Sequence, residues 1–234
     1  MTDGKGGFYS ATDADSEGAE GSFFVWTKEQ LNEVLGEQDA ALAIDVWGVT
    51  EEGNFEERNI LHLQGPIAEV AANYDLSTTE LSEKLNNYSD KLLPVRNTRE
   101  PPLTDRKVIT EWNAMMATTF LMAYEVFRQP EYLEAAVNAI DFVWQHNRKE
   151  DGYLLRAHFN GQSSIAASQA DYAYLAQATL ALFDITSDDS WMQKTVETVD
   201  VMNREFWDEQ HGGYFIGSAS VGGAALPSRP QRPV

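Results

Sequence analysis

Residues 6–26 read GGFYSATDADSEGAEGSFFVW, and they decide how the rest of the chain is interpreted. Two short aromatic runs, Phe8–Ala11 and Phe23–Trp26, flank a loop that holds four carboxylates. These runs predict two strands of a β-hairpin, and the glycines at both edges let the backbone turn. Four acids within eight positions exceed what an ordinary turn needs. We expect them either to face a ligand or to accept backbone hydrogen bonds. They are Asp13, Asp15, Glu17 and Glu20.

The composition restricts the partners of this protein. Its 234 residues include 37 acidic and 17 basic side chains, which gives a formal charge of −20. Such a field repels phosphate backbones and anionic lipid surfaces, so we expect no nucleic acid and no membrane as partner. The sequence has no cysteine, and residues 1–7 lack the apolar core of a signal peptide. We therefore expect a soluble, cytoplasmic protein.

Most of the chain predicts helices in pairs. Thr27 and Gln30 form a capping box that starts a helix ending near residue 35. Pro94 is expected to end a later helix near residue 93. In the second half, apolar residues recur at helical spacing. A short strand is predicted over residues 59–63. The remaining predicted helices cover residues 39–47, 66–73, 78–93, 109–127, 131–146, 168–183 and 190–206.

A glycine followed by an aromatic residue recurs between the helix pairs. Gly152-Tyr153 and Gly213-Tyr214 lie 61 residues apart, with two helices between them, and Gly7-Phe8 repeats the pattern. Repeated helical hairpins of this length indicate a solenoid or a closed toroid. Six such hairpins need about 360 residues. We therefore predict an all-α fold, a partial (α/α)6 toroid with short β-hairpins, over residues 1–217, and a truncated or flexible tail over residues 218–234.

Several motifs resemble one family of uncharacterised proteins. Residues 6–26 are similar to its signature, and the resemblance continues through Gly53–Glu56, Asn59–Leu61 and Leu226–Pro230. Further matching positions are Asp105, Lys107, Trp112, Asn113, Asp171, Tyr172 and Ala173. This is the spermatogenesis-associated thioredoxin-like group with its bacterial relatives. Its members carry an N-terminal thioredoxin-like domain and a C-terminal helical toroid.

The resemblance implies that this chain is an internal piece of the toroid, with the thioredoxin-like domain upstream. The toroid resembles the six-hairpin glycosidases and the N-acylglucosamine 2-epimerases, so the resemblance implies carbohydrate metabolism. The chain departs from the family pattern at Arg106, where a second acid is usual, and at Ala114, where glycine is usual. The first departure removes one carboxylate from a possible catalytic pair.

Polar and aromatic residues cluster where two predicted helices begin. The starts of inner helices in a toroid carry partial positive charge and free N–H groups, so residues there can face a shared cavity. We predict catalytic roles for Asp13, Asp15, Glu17, Asp105 and Asp171. We predict substrate-binding roles for Glu20, Lys107, Trp112, Asn113 and Tyr172, with Trp112 and Tyr172 stacking on a sugar ring. The alternative for all of them is helix capping and burial.

The other chemistry-bearing residues give weaker signals. The four histidines are His62, His146, His158 and His211, and none shows metal-ligand spacing. The Asp13, Asp15 and Glu17 spacing faintly resembles a calcium loop, but the full pattern is missing. We predict no metal and no cofactor. Histidines near helix ends, such as His146 and His211, are expected to stabilise those ends.

Two functions remain open from the sequence. The first is a carbohydrate-binding or carbohydrate-active domain, similar to a glycosidase or epimerase, with a sugar as ligand. In it one carboxylate donates a proton and another accepts one. The second is a non-catalytic binding or scaffold module that serves the thioredoxin-like domain. The acidic, aromatic residues favour the first function, and Arg106 favours the second.

Overall fold

The computed structural model describes residues 1–218. The predicted all-α class is confirmed, because eight helices make up most of this part of the chain. Leu226–Pro230 and most of the predicted tail lie outside the described residues. The helices are α1 (Lys28–Leu35), α2 (Glu37–Val46), α3 (Ile67–Ala72), α4 (Thr78–Arg96), α5 (Thr110–Phe127), α6 (Pro130–His146), α7 (Gln169–Thr186) and α8 (Asp189–Phe206).

The strands within residues 1–218 are short. Strands β2 and β3 form one antiparallel hairpin, and β5, β6 and β7 form a three-stranded antiparallel sheet in that order. The seven strands are β1 (Ala11–Thr12), β2 (Asp15–Ser16), β3 (Ala19–Glu20), β4 (Thr104–Asp105), β5 (Val108–Ile109), β6 (Leu155–Phe159) and β7 (Gln162–Ala166).

The chain folds as two compact units. The first, here called unit 1, comprises Met1–Ala11 and the chain from Thr104 onward, and unit 2 comprises Thr12–Leu103. In unit 1, α5 packs on α6 and α7 packs on α8, while α5 and α7 also pack on each other. The first helices of two successive hairpins are therefore adjacent, as expected for part of an α/α toroid. The single domain over residues 1–217 stays a prediction.

Each unit has its own apolar core. In unit 1 the core follows the apolar stripes of the four helices, with Leu121, Ile140, Leu175 and Leu182 almost fully buried. Burying a leucine or isoleucine side chain contributes roughly 1.5–3 kcal/mol, so these stripes hold the two hairpins together. In unit 2 the core lies between α1, α2, α3 and α4 and includes Trp26, Trp47, Leu31, Leu81 and Tyr88.

The hairpin predicted from residues 6–26 was wrong in its register. Phe8–Ala11 does not pair with Phe23–Trp26. The hairpin instead lies inside the acidic loop, where Asp15 faces Glu20 and Ser16 faces Ala19. Glu17 and Gly18 have φ angles of 54° and 79°, as a two-residue type I′ turn requires. Serine, alanine and acid positions were interpreted as a loop because such residues have low strand propensity.

Two other predictions need correction, and one strand pairing was missed. Helix α4 continues through Pro94 to Arg96, because a proline in the last turn removes one donor without breaking the turns before it. The predicted strand over residues 59–63 is reduced to one bridge, between Asn59 and Trp26. The pairing of β6 with β7 was not predicted. Gly213-Tyr214 makes only a bridge, from Tyr214 to Trp207, which matches the Arg148–Leu154 bridge one hairpin earlier.

Buried asparagines hold backbone segments together in both units. In unit 2, the Asn59 side chain is 1% exposed, donates to the carbonyls of Trp26 and Thr50, and accepts the Thr50 N–H. In unit 1, the fully buried Asn147 donates to the Val108 carbonyl, at 3.4 Å. A carboxamide has both donors and an acceptor, so it can satisfy N–H and C=O groups at once.

The loop between Phe55 and Arg58 is strained, and relieving it should stabilise the protein. Glu56 and Glu57 have φ angles of 47° and 57°, in the left-handed region. In this conformation a residue with a Cβ costs roughly 1–2 kcal/mol of strain. Glycine avoids the strain, but it loses more conformational entropy on folding, which offsets part of the gain in stability. We expect Glu57→Gly to raise the free energy of unfolding by about 0.5–1 kcal/mol in urea denaturation. Glu52→Gly removes the same charge at a position without positive φ. An equal gain in that control would assign the effect to charge.

Arg99 organises the segment that precedes α1. Its Nη1 donates to the carbonyls of Phe23 and Val25 at 2.9 and 2.7 Å, and its guanidinium lies 4.2 Å from the Trp26 ring centroid. Lysine cannot reproduce this planar contact. We expect Arg99→Lys to lower the free energy of unfolding by about 2 kcal/mol, measured by urea denaturation followed by tryptophan fluorescence. The control is Arg58→Lys, at an exposed position. A loss of the same size there would contradict the assigned contact.

Candidate functional site

A cluster of charged groups joins the starts of α5 and α7 in unit 1. Asp171, in the first turn of α7, is fully buried. Its Oδ1 accepts the Glu111 backbone N–H at 3.0 Å, and its Oδ2 accepts the N–H and the hydroxyl of Ser168 at 2.8 and 2.9 Å. Arg156 on β6 donates to Asp171 Oδ2 at 2.8 Å and to Glu111 Oε2 at 3.0 Å. We call Glu111, Arg156, Ser168 and Asp171 the helix-start cluster.

One guanidinium therefore bridges two carboxylates. Burial by itself would lower the pKa of Arg156, but the neighbouring Asp171 and Glu111 carboxylates raise it above its usual value. The Arg156 and Glu111 side chains remain 33% and 20% exposed, so the cluster reaches the surface through them. Such a pair can offer hydrogen bonds to a ligand. Asp171 has no surface of its own, and its contacts are those of a capping and positioning residue.

Asn113 uses its carboxamide on the backbone. It is 1% exposed, its Oδ1 accepts the Phe8 N–H at 2.7 Å, and its Nδ2 donates to the carbonyls of Phe8 and Ile109 at 3.1 and 2.9 Å. These three bonds fit the capping and burial alternative, and the predicted ligand contact of Asn113 stays a prediction. Its role is to fasten the N-terminal segment to the start of α5.

Asp105 and Lys107 form a local pair. The Lys107 Nζ lies 2.8 Å from Asp105 Oδ2, and the Lys107 N–H donates to Asp105 Oδ1 at 3.1 Å. Hydrogen bonding from Lys107 lowers the pKa of Asp105, so this carboxyl stays ionised at neutral pH. An exposed pair of this kind contributes little to stability. The catalytic role of Asp105 and the binding role of Lys107 stay predictions.

The two aromatic residues at the helix starts have opposite environments. Trp112, one residue after Glu111, is 47% exposed and can offer part of its ring to a ligand. Tyr172 is 2% exposed, its ring contacts Phe206 at 5.3 Å, and its hydroxyl accepts the Leu154 N–H at 2.8 Å. Tyr172 therefore packs in the core, and its predicted stacking role stays a prediction.

The acidic hairpin belongs to unit 2, and its carboxylates are exposed. Asp15 and Glu20 face each other in the register of β2 and β3. Asp13 Oδ1 accepts the Asp15 N–H at 3.3 Å, which closes a local turn. The strand positions of Asp15 and Glu20 place like charges opposite each other, an arrangement that is destabilising by itself. The catalytic roles of Asp13, Asp15 and Glu17 and the binding role of Glu20 stay predictions.

Two of the histidines are brought together in unit 1. The rings of His146 and His158 lie 5.0 Å apart, and His158 Nδ1 lies 2.8 Å from the Ser163 hydroxyl. Burial lowers the pKa of His158, and the nearby His146 adds to this effect. His146 ends α6, as predicted. Among residues 1–218, no group of three His, Cys, Asp or Glu side chains could hold a metal ion.

Sequence reasoning missed Glu111 and Arg156. Glu111 stands next to Trp112 in the first helical turn, where an acid is ordinarily explained by the helix dipole. Arg156 lies in a short strand among residues that gave no functional signal. A base placed between apolar strand residues could have indicated a buried acid partner. Its pairing with Asp171, 15 residues away, depends on the sheet position of β6 and is not readable from spacing.

The chain is similar to proteins of several animals over most of its length. Spermatogenesis-associated protein 20 of Homo sapiens is 28% identical over 258 aligned residues, covering 96% of this chain and 33% of the relative. An uncharacterized protein of Caenorhabditis elegans is 28% identical over 242 residues, covering 90% of this chain and 33% of that protein. The chain thus spans about a third of the length of these curated relatives. No family model matches it.

Solved structures share parts of this arrangement. A cellobiose 2-epimerase from Spirochaeta thermophila has 23% identity and a TM-score of 0.43, over 47% of this chain and 28% of that chain. A glycoside hydrolase family 76 mannosidase from Bacteroides thetaiotaomicron has 13% identity and a TM-score of 0.40, over 44% of this chain and 30% of that chain. These partial likenesses say nothing about activity. Within residues 1–218, no helix has the length and apolar character needed to cross a membrane.

Proposed function

We propose that unit 1 binds a carbohydrate at the start of α5. One observation carries the proposal: Trp112, 47% exposed, shares the first turn of α5 with Glu111, whose carboxylate is held by the partly exposed Arg156. A sugar ring has an apolar C–H face and a rim of hydroxyls. An aromatic ring suits the first, and a fixed carboxylate–guanidinium pair suits the second.

The helix-start cluster favours binding over acid–base catalysis. Glycoside cleavage needs one carboxyl that can donate a proton and one that can accept it or attack. Glu111 and Asp171 both bond to the Arg156 guanidinium, and Asp171 is fully buried. A buried carboxylate cannot reach a glycosidic oxygen, so Glu111 is the only acid of this cluster that a ligand can contact. We therefore assign ligand recognition to this site, while Asp105 and the acids of unit 2 remain the candidates for chemistry.

A second function rests on the burial of Asp171. Because the helix-start cluster exposes one carboxylate and not a facing pair, unit 1 can serve as a non-catalytic module for another domain. The thioredoxin-like domain expected upstream from the sequence resemblance is the partner we propose in that case. If the native protein binds no sugar but does bind a recombinant thioredoxin-like domain, that result would favour this second function.

The test of the carbohydrate proposal compares alanine substitutions of two exposed tryptophans. Trp112→Ala removes the proposed stacking surface, and Trp207→Ala removes a tryptophan of nearly equal exposure, 46%, after α8. We expect cellobiose or mannobiose at millimolar concentration to raise the melting temperature of the native protein and of the Trp207 variant. The increase should be smaller in the Trp112 variant. Equal responses of the two variants, or no response of the native protein, would contradict the proposal.

A further inference from the structure

Unit 2 contains an open cavity that none of the predicted site residues touches. Its volume is ≈ 340 Å³, within the roughly 300–1,000 Å³ usual for small-molecule sites. It lies between the segment before α1, the end of α2 and the second half of α4. Its lining includes Trp26, Trp47, Leu92, Leu93, Asp90 and Arg96.

One part of the wall of this cavity is apolar and aromatic. Trp26 and Trp47 are 4% and 8% exposed, so each indole is fixed by packing and presents only a small part of its surface. Leu92 is buried, whereas Leu93 is 45% exposed. A rigid aromatic wall loses little conformational entropy when a ring packs against it. The cavity is therefore shaped before a ligand arrives.

Two polar features of α4 distinguish this cavity from a plain apolar groove. The Arg96 Nε is buried and has no hydrogen-bond partner among the described residues. Pro94 has no N–H, so it cannot donate to the carbonyl of Asp90, as another residue would in a helix. The Arg96 Nε–H thus has no partner, and the Asp90 carbonyl lacks its usual helical donor. Both residues line the same cavity. A buried polar group usually has a partner, so the Arg96 Nε–H calls for one, whereas the carbonyl of the exposed Asp90 can accept from solvent or from a ligand.

The charges around the cavity favour a neutral ligand. Asp90 repels an anion, Arg96 repels a cation, and the protein as a whole carries a formal charge of −20. A ring with an apolar face suits the indoles and leucines. Hydroxyl groups can both accept from Arg96 and donate to Asp90.

We propose that this cavity is a second binding site, in unit 2, for a neutral hydroxylated ring compound of the size of a mono- or disaccharide. The site is independent of Trp112, and its ligand contacts the two indoles while its hydroxyls bond with Asp90 and Arg96. It goes beyond the function proposed for unit 1, since either site can bind without the other.

The test uses ¹⁹F NMR of the full chain labelled with 5-fluorotryptophan, which reports on all 6 tryptophans separately. Single tryptophan-to-phenylalanine variants assign the signals. The probes are D-glucose, D-mannose and cellobiose at millimolar concentration. We expect a saturable shift of the Trp26 and Trp47 signals with at least one probe. Leu93→Trp fills the cavity and should weaken binding at least about tenfold. Val95→Trp, at an exposed position of α4 outside the lining, should leave it unchanged.

The outcomes separate the two sites. A shift of the Trp112 signal alone would overturn this second site and support the site in unit 1. A shift of the Trp26 and Trp47 signals alone would overturn the site in unit 1 and support the second site. Shifts of Trp26 and Trp47 that persist in the Leu93 variant would also overturn the cavity assignment. Arg96→Met, which keeps the aliphatic stem, provides a second readout if Leu93→Trp does not fold. It should weaken binding because the lining loses the guanidinium that donates to the ligand hydroxyls.

Discussion

Asp171→Ala is expected to lower the free energy of unfolding by about 3 kcal/mol, the scale reported for breaking a buried ion pair. The substitution leaves the Glu111 N–H, the Ser168 N–H and hydroxyl, and the Arg156 guanidinium without their shared acceptor. Three elements, α5, α7 and β6, lose a common anchor. Urea denaturation measures the loss, and hydrogen exchange at the Glu111 and Ser168 amides locates it.

Two variants control this experiment. Asp171→Asn keeps one oxygen acceptor of the same shape but removes the charge, so we expect a smaller loss of about 1–2 kcal/mol. Asp184→Ala changes an exposed acid on the same helix and should be nearly neutral. Unchanged exchange at the Glu111 amide in the Asp171→Ala protein would show that this carboxylate does not join the two helix starts.

Gly6→Ala is the second substitution with a large expected effect. Gly6 has a φ of 103°, and a Cβ there would lie 2.5 Å from the Asn138 Cβ and 3.1 Å from its backbone carbonyl. Backbone strain of roughly 1–2 kcal/mol adds to overpacking of a similar size, about 3 kcal/mol in total. We expect the segment before Phe8 to detach from α6, because the added methyl group would clash with Asn138 of that helix.

The measurement is hydrogen exchange at the Phe8 amide, which Asn113 Oδ1 accepts in the native protein. Exchange there should accelerate strongly in the Gly6 variant. Gly4→Ala is the matched control, since its added Cβ meets nothing within 4 Å. Equal protection of Phe8 in both variants would mean that the close approach to α6 does not require glycine at position 6.

Helices were predictable from sequence because their signals are local. The capping boxes at Thr27 and Ser77 lie where the residue pattern places them, and the apolar period of α5 to α8 gives their bounds within a few residues. The short strands were not predictable. Ser16 and Ala19 pair because Glu17 and Gly18 form a turn, and their own strand propensity is low.

The candidate site was predictable only in part. The recurrence of polar residues at helix starts led to Trp112 and Asp171, and the structure joins Asp171 to the start of α5. Burial could not be read for Tyr172, since a tyrosine in a first helical turn can face either way. Arg156 was missed because its partners come from two helices that only the folded chain brings together. Long-range pairing of this kind leaves no spacing in the sequence.

The buried asparagines Asn59, Asn113 and Asn147 have a consequence for any saturation mutagenesis of this protein. At Asn113, aspartate has nearly the same shape, but an ionised carboxylate would face the carbonyls of Phe8 and Ile109, to which it has no proton to give. Asn59 and Asn147 meet the same constraint at their own carbonyls. Nearly every substitution at these three positions should therefore destabilise the protein. A screen interpreted without the structure would assign these asparagines to an active site, although their side chains hydrogen-bond to the backbone.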